Sequence, residues 1–236
     1  MNIVDVVIIL MILMYGVIGL KRGVFKETAI VVGTIAVIIL AFYFKDPLAS
    51  WLSLNLPFFN FGGTFAGLTS LNIVMYQLIA FLLIAGILTA ILNVVISITG
   101  VFEKFLKLTI ILGIPSKILG FIVGLVNGFI IVYIVLFFIS QPAFNIEIIN
   151  QSKMTSPILK STPGLSNIMK DFNLAFSDIY KLSESLSSNP DKNEFNKQTI
   201  EVLLKYKIVK ANHVIKLLEK GKLKVVGIDQ ILNNYR

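Results

Sequence analysis

The sequence has no cysteine and a single histidine, His213, among its 236 residues. Disulfide bonds, cysteine-ligated zinc, iron–sulfur clusters and thiol nucleophiles are therefore excluded. A lone histidine in a polar segment is more typical of a surface residue than of a metal ligand or a base, so we expect His213 at the surface. The motifs of phosphate-binding loops, nucleophile elbows, zinc proteases and calcium loops are also missing. We predict a protein that is not an enzyme and has no cofactor or metal.

Charged residues are scarce as well: they make up 14% of the chain, against about 25% in an average soluble domain. Hydrophobic residues make up 56%, and the mean hydropathy is +0.85. This composition is typical of an integral membrane protein. Asp5 stands where a secretory signal peptide carries basic residues, and no small-residue cleavage site follows, so we expect the first apolar segment to be retained.

Four segments are long and apolar enough to cross a bilayer as helices, which takes about 20 residues each. They are Ile3–Leu20, Thr28–Phe44, Leu71 to about Ser97, and Ile118–Ser140. After Pro142 the composition becomes polar. The sequence thus predicts an all-α integral membrane protein with a four-span membrane domain at residues 1–140 and a polar, mainly helical, soluble tail at residues 141–236.

Two connections are predicted to be interfacial or re-entrant. Residues 45–70 are rich in aromatic rings, which favour the headgroup region, but Pro47, Pro57 and several glycines interrupt them. We therefore expect no further continuous helix there. Residues 101–117 are interpreted as an interfacial half-helix in which Glu103, Lys104 and Lys107 face headgroups, and which ends at Pro115.

The orientation of the spans is predicted from basic residues, because lysine and arginine near span ends are retained on the cytoplasmic side. The first connection carries Lys21, Arg22 and Lys26, the third carries Lys104, Lys107 and Lys117, and the second has only Lys45. We expect the first and third connections inside and both termini outside.

Six glycines lie at helical spacing in or beside two of the spans. Because residues four apart share one helix face, they predict two smooth faces along which backbones can approach closely. These glycines are Gly16, Gly19 and Gly23 at the first span, and Gly120, Gly124 and Gly128 in the fourth. Two uses are open: packing of span four against span one or against its copy in a homo-oligomer, and a surface that lets helices slide or lines a narrow conduit.

No ionisable residue lies in the middle of a predicted span, whereas three amides do: Gln77, Asn93 and Asn127. Amides in membranes commonly form interhelical hydrogen bonds worth about 0.6–2 kcal/mol. An ion-coupled transporter or a proton relay normally needs a buried carboxylate. The sequence therefore favours a passive channel or an assembly scaffold.

The first turn, "KRGVFKE", has two interpretations. Arg22, with Lys26 and Glu27, could bind a lipid phosphate or a partner, because a guanidinium group binds phosphate in a bidentate way. Ordinary topology signalling explains the same residues.

The tail is predicted to contain three helical regions. An amphipathic helix starts after Pro163 and Gly164, a second region covers Lys197 to about Lys220 with a bend near Asn212, and a short helix covers Asp229–Tyr235 with Asp229 as N-cap. The basic residues that give the net charge of +8 are spread among acidic ones and form no cluster. We therefore expect no nucleic-acid partner and at most an affinity for anionic lipid or wall polymer.

Three features carry a resemblance to a known family. They are Asp5 at the head of span one, the turn pattern of Gly19, Arg22, Gly23 and Glu27, and the run of Leu119, Gly120, Gly124 and Gly128. In this order, on a four-span chain, they resemble the colicin V production protein (CvpA) family of bacterial inner-membrane proteins. The family often has an Asp-Arg pair where this chain has Ser116 and Lys117, and a basic residue where it has Asn127.

The resemblance implies a multi-pass protein of the bacterial inner membrane with a part in toxin (colicin) production or export and in envelope tolerance to stress. It implies no settled molecular activity. Two hypotheses follow: a channel-like transport or secretion accessory, and a non-conducting membrane scaffold that recruits partners through its helical tail. The expected partners are the lipid bilayer and further copies or other membrane proteins.

Overall fold

The computed structural model describes residues 2–61, 67–107, 113–140, 147–162, 164–186 and 191–236, and the regular elements within these ranges are all α-helices. The helices are α1 (Ile3–Arg22), α2 (Val24–Asn55), α3 (Leu71–Lys107), α4 (Gly113–Ile139), α5 (Glu147–Asn150), α6 (Thr155–Ser161), α7 (Leu165–Leu186), α8 (Lys192–Lys205), α9 (Ala211–Glu219) and α10 (Asp229–Asn234). Helices α1 to α4 are long and apolar enough to cross a membrane. The predicted all-α class with four spans is confirmed.

The chain forms two compact units. The first contains Met1–Ala41 and Ala85–Pro163, and the second contains Phe42–Ile84 and Gly164–Arg236. This division differs from the expected boundary at residue 140, because the end of α2 and the start of α3 belong to the same unit as most of the tail.

In the first unit, a single residue separates α1 from α2. The expected seven-residue turn is therefore wrong: α1 extends through Arg22, and α2 begins at Val24. Gly23 between them has φ 81°, a backbone conformation that glycine adopts without a steric penalty. At its other end, α1 begins with a capping box in which Asn2 and Asp5 each accept a hydrogen bond from the other's backbone N–H.

The interfacial half-helix expected at residues 101–117 is also corrected. Residues 101–107 continue α3, and Pro115 lies in the first turn of α4, where the missing N–H of proline costs nothing. Residues 108–112 and the side chains of residues 101–107, including the expected headgroup contacts, lie outside the described part of the chain.

In the second unit, α2 continues through Pro47 to Asn55, contrary to the expected end of the helix. Ala49 and Leu52 are buried in one cluster with Tyr76 and Ala80 of α3. This burial offsets the hydrogen bond that a proline removes from a helix interior. Packing between the two helices thus overrides the local breaker.

The residues after α2 fold onto the start of α3. The Asn72 side chain binds both the N–H and the carbonyl of Phe59, at 2.6 and 3.2 Å, and the Tyr76 hydroxyl donates to the carbonyl of Pro57 at 2.5 Å. Residues 62–66 of the predicted interfacial segment, with Gly62, Gly63 and Phe65, lie outside the described residues.

The tail supplies the other side of the second unit's core. Leu68 and Ile73 beside and within α3 are buried in one cluster with Phe195 and Leu203 of α8 and Val214 of α9. The amphipathic helix predicted after Gly164 is confirmed as α7.

Two details of the predicted tail are wrong. The chain breaks between α8 and α9, before Asn212, and Lys207 in this break has a positive φ of 55°. Asp229 is the first residue of α10 and forms no cap, since the N-cap position is Ile228 without a side-chain cap bond.

His213 is buried, so its expected surface position is wrong. The Nε2 atom of His213 lies 3.0 Å from Ser53 Oγ. The Ser53 hydroxyl donates a hydrogen bond to the carbonyl oxygen of Ala49 at 2.8 Å, because a carbonyl oxygen can only accept. Ser53 therefore accepts from His213 Nε2–H. Burial, and next the charge of Lys216, hold the pKa of His213 below its ordinary value, while Asp46 acts in the opposite direction.

Candidate functional site

The two predicted glycine faces meet each other along α1 and α4. A Cβ added to Gly19 would collide with the carbonyl oxygen of Gly120 and lie 2.9 Å from Cα of Gly124. A Cβ added to Gly120 would lie 2.5 Å from the carbonyl oxygen of Gly19. These neighbours are backbone atoms that cannot turn away, so the close approach requires glycine.

The remaining three glycines extend the same contact, which we call the glycine seam. A Cβ added to Gly128 would lie 3.0 Å from Cα of Ile12, so α4 runs antiparallel to α1. Gly16 faces the side chains of Phe121 and Leu125, and the backbone of Gly23 lies against Gly120. Span four thus packs on span one of the same chain. The close approach along the glycine seam matches the predicted use of these glycines in helix packing.

Glu27 is fully buried beside the seam and joins three helices. Its Oε2 lies 3.4 Å from Nη1 of Arg22 in α1, and its Oε1 accepts a hydrogen bond from Nδ2 of Asn127 in α4 at 2.9 Å. Arg22 keeps 38% of its side chain exposed. The ion pair and the amide bond together offset the desolvation of the carboxylate.

Ser116 is a site residue that the sequence reasoning missed. Its Oγ accepts a hydrogen bond from Val24 N at 3.3 Å, which fastens the start of α2 to the first turn of α4. The signal was present: Ser116 lies four residues before Gly120, so the small-residue face of α4 begins one turn earlier than the glycines alone suggest.

Asp5 is fully buried at the start of α1. Its Oδ1 accepts hydrogen bonds from Ser152 Oγ at 2.6 Å and from Met154 N at 3.1 Å, and its Oδ2 accepts one from Asn2 N at 2.9 Å. The start of α1 is therefore bound to the segment that follows α4. No local pattern pointed to Ser152, because 147 positions separate it from Asp5.

The three predicted in-span amides have different surroundings. Asn127 links α4 to Glu27, as interhelical amides do. Gln77 instead donates from Nε2 to the carbonyl of Ile208 in the tail, at 3.1 Å. Asn93 is exposed, so the expected interhelical bond from its side chain is not seen among the described residues.

The two sequence motifs of the membrane part are thus two sides of one contact. Gly19, Arg22, Gly23 and Glu27 belong to the α1–α2 side, and they meet the face of α4 that carries its glycines and Asn127. This part of the chain contains two buried carboxylates, Glu27 and Asp5. Within the ranges that the structure describes, no three His, Asp or Glu side chains come together as a metal site would need.

Comparison with known proteins places these motifs in one family. The family model described as Colicin V production protein matches residues 4–163, which is more than half of the chain and includes the whole glycine seam. No curated protein matches the chain, and no solved structure matches it. On the strength of the family match, the chain belongs to the Colicin V production protein family, and this membership supports a role in toxin production.

Proposed function

We propose that this chain serves toxin production as a non-conducting, non-catalytic membrane scaffold that presents its helical second unit to partner proteins. The observation that carries the proposal is the continuity of α2 and α3. Each is one unbroken helix with residues in both units. Within the second unit, the tail packs on the end of α2 and the start of α3.

Buried polar bonds hold the tail to α3 in one register. Asn196 Oδ1 accepts hydrogen bonds from Ser70 N at 2.9 Å and from Ser70 Oγ at 2.7 Å, and Gln77 binds the carbonyl of Ile208. Buried polar groups have fixed partners and tolerate no slip of one element along another. A tail fixed to the start of α3 in this way suits a surface that binds partner proteins.

Photo-crosslinking in cells tests the scaffold. A photoreactive residue is introduced at the exposed tail positions Glu201, Lys220 and Gln230, and, as a control, at the exposed span position Ile91. We expect adducts with other proteins from the tail positions and lipid adducts from position 91. If none of the tail positions yields a protein adduct, the scaffold proposal fails.

We further propose that the protein lies in the bacterial inner membrane with both termini outside. Four helices are long and apolar enough to cross a membrane, and an even number of crossings leaves both termini on the same side. The basic first connection favours the cytoplasm for the α1–α2 turn.

Because the chain has no cysteine, Lys21→Cys and Gln230→Cys can be labelled separately with an impermeant maleimide. In intact cells we expect labelling at position 230 only. Labelling at position 21 only would invert the orientation, and equal labelling at both would contradict the four-span topology.

A channel-like transport accessory is the second candidate, and the burial of Glu27 favours it. Ionisable residues inside membrane domains often mark ion or substrate pathways. Ion flux through liposomes containing the purified chain distinguishes the candidates. Flux that Glu27→Gln abolishes would support a channel and contradict the scaffold, whereas tail crosslinks without flux would support the scaffold.

A further inference from the structure

We propose that the α1–α2 turn and the first turn of α4 form a binding site for the phosphate group of an anionic phospholipid, with Arg22 as the central ligand. Neither the family match nor the proposed scaffold function assigns such a site. The site consists of Arg22, Lys21, Lys26 and Lys117, with Glu27 behind Arg22. We call these five residues the basic turn.

The guanidinium group of Arg22 is held in place from the protein side. Glu27 is fully buried and lies 3.4 Å from Nη1 of Arg22, while Asn127 holds the other oxygen of the same carboxylate. Arginine has five N–H donors in a rigid planar fork, so contact through Nη1 leaves further donors available. Since 38% of the Arg22 side chain is exposed, those donors can reach a phosphate outside the protein.

Three lysines lie on the helix ends that meet at Arg22, because the backbone brings α1, α2 and α4 together here. The hydrogen bond from Val24 N to Ser116 Oγ places Lys117 beside the turn, and Lys21 and Lys26 flank it on α1 and α2. Lys21 and Lys117 are exposed and Lys26 is partly exposed. Against four cations, the turn has one acidic side chain, Glu27, whose charge is buried and paired.

The surroundings of the basic turn favour a lipid over a free phosphate ion. Large apolar side chains on the same helices are exposed next to it: Leu20, Phe25, Ile114 and Ile118. A phospholipid carries its phosphate directly beside its acyl chains. The charged side chains of the basic turn would bind the phosphate, and the neighbouring exposed apolar side chains would contact the acyl chains. Inorganic phosphate would use the cations and leave the apolar groups without a role.

A specific site and a general topology signal make different predictions. A topology signal depends on net positive charge alone. A specific site depends on the planar geometry of arginine and on the carboxylate that orients it. Arg22→Lys keeps the charge and loses the fork, and Glu27→Gln adds one positive charge to the net balance but weakens the hold on Arg22.

Lipid binding to the full-length chain in detergent tests the proposal. Native mass spectrometry would measure the affinity for phosphatidylglycerol and for phosphatidylcholine, and thermal unfolding with inorganic phosphate would form a third arm. We expect the wild type to prefer phosphatidylglycerol, and Arg22→Lys and Glu27→Gln each to reduce that affinity by about tenfold.

Two control variants separate the site from charge and from stability. Lys207→Ala combined with Lys210→Ala removes two exposed charges from the second unit and should leave the lipid affinity unchanged. Asp5→Ala removes buried hydrogen bonds at the start of α1, outside the basic turn, and should lower stability while retaining the lipid preference.

Three results would overturn the proposal: equal affinity of the wild type for both lipids, unchanged or tighter phosphatidylglycerol binding by Glu27→Gln, or an equal loss in the double lysine control. Stabilisation by inorganic phosphate equal to that by the lipid at the same concentration would also refute a lipid site, because it would leave the apolar surroundings without a role.

Discussion

Replacing Gly124 with alanine should destabilise the chain, although alanine is the better helix former. The added Cβ would lie 2.5 Å from the carbonyl oxygen of Tyr15 and 3.1 Å from Cα of both Gly16 and Gly19. These backbone atoms belong to a helix, so no rotation of a side chain relieves the collision. Helices α1 and α4 must move apart along the glycine seam.

The size of the effect follows from these distances. Restoring ordinary contact takes roughly 1 Å of separation, which forfeits a quarter to a half of the dispersion attraction between the facing atoms. Overpacking of this kind costs about 1–3 kcal/mol, and the helix propensity of alanine offsets about 1 kcal/mol of it. We expect a net loss of up to about 2 kcal/mol in the free energy of unfolding.

The chain offers matched controls. No atom lies within 4 Å of a Cβ added to Gly86 in α3, so Gly86→Ala should stabilise the protein by about 0.5–1 kcal/mol. Gly16→Ala should have an intermediate effect, because its neighbours are side chains of Phe121 and Leu125, which can turn aside. Unfolding in mixed detergent micelles, followed by circular dichroism, measures all three variants. Equal stability of the Gly86 and Gly124 variants would refute the packing argument.

Three further substitutions test the polar contacts. Asp5→Ala leaves the donors of Ser152, Met154 and Asn2 without their acceptor and should cost about 2–4 kcal/mol in unfolding experiments. A loss below the error of measurement would contradict a stabilising role of these bonds. Asn127→Leu removes the donor to Glu27 Oε1 and should lower the free energy of unfolding by about 1–3 kcal/mol. Asn93 is an exposed amide in α3, so Asn93→Leu is a control that should be nearly neutral. The pKa of His213 is lower in the folded than in the unfolded state, so its contribution to stability is complete above the unfolded pKa of 6.5 and is lost as the pH falls through the folded pKa. Unfolding measured as a function of pH should show this loss of stability in the wild type and not in His213→Gln.

The membrane part was predictable where one residue type alone determines the contact. Gly120, Gly124 and Gly128 at steps of four indicate close helix packing without further knowledge, since glycine in an apolar helix is otherwise unfavourable. Their partner was not predictable, because an apolar face in lipid can be covered by the same chain or by a copy. The structure assigns it to Gly19 and its neighbours in α1.

The buried polar residues were harder to predict, because their partners are distant in sequence. Glu27 looked like part of a polar turn, yet the one-residue connection at Gly23 places it inside α2 and within reach of Asn127. His213 looked like a surface residue, yet it is buried against Ser53, 160 positions away. Local composition determines neither contact, since both depend on which helices the fold brings together.

The family match ends at Pro163, and the second unit shows why the tail beyond it matters to the matched part. Leu68 and Ile73 lie within the matched residues, but Phe195 and Leu203, which share their buried cluster, lie beyond it. Without the tail, this apolar surface at the start of α3 would be exposed to water or would need another cover, at a cost of roughly 25 cal/mol for each Å². The glycine seam needs no such help, because its contacts lie inside the first unit. The seam therefore lies wholly within the residues that the family model matches, whereas the core of the second unit combines matched and unmatched residues.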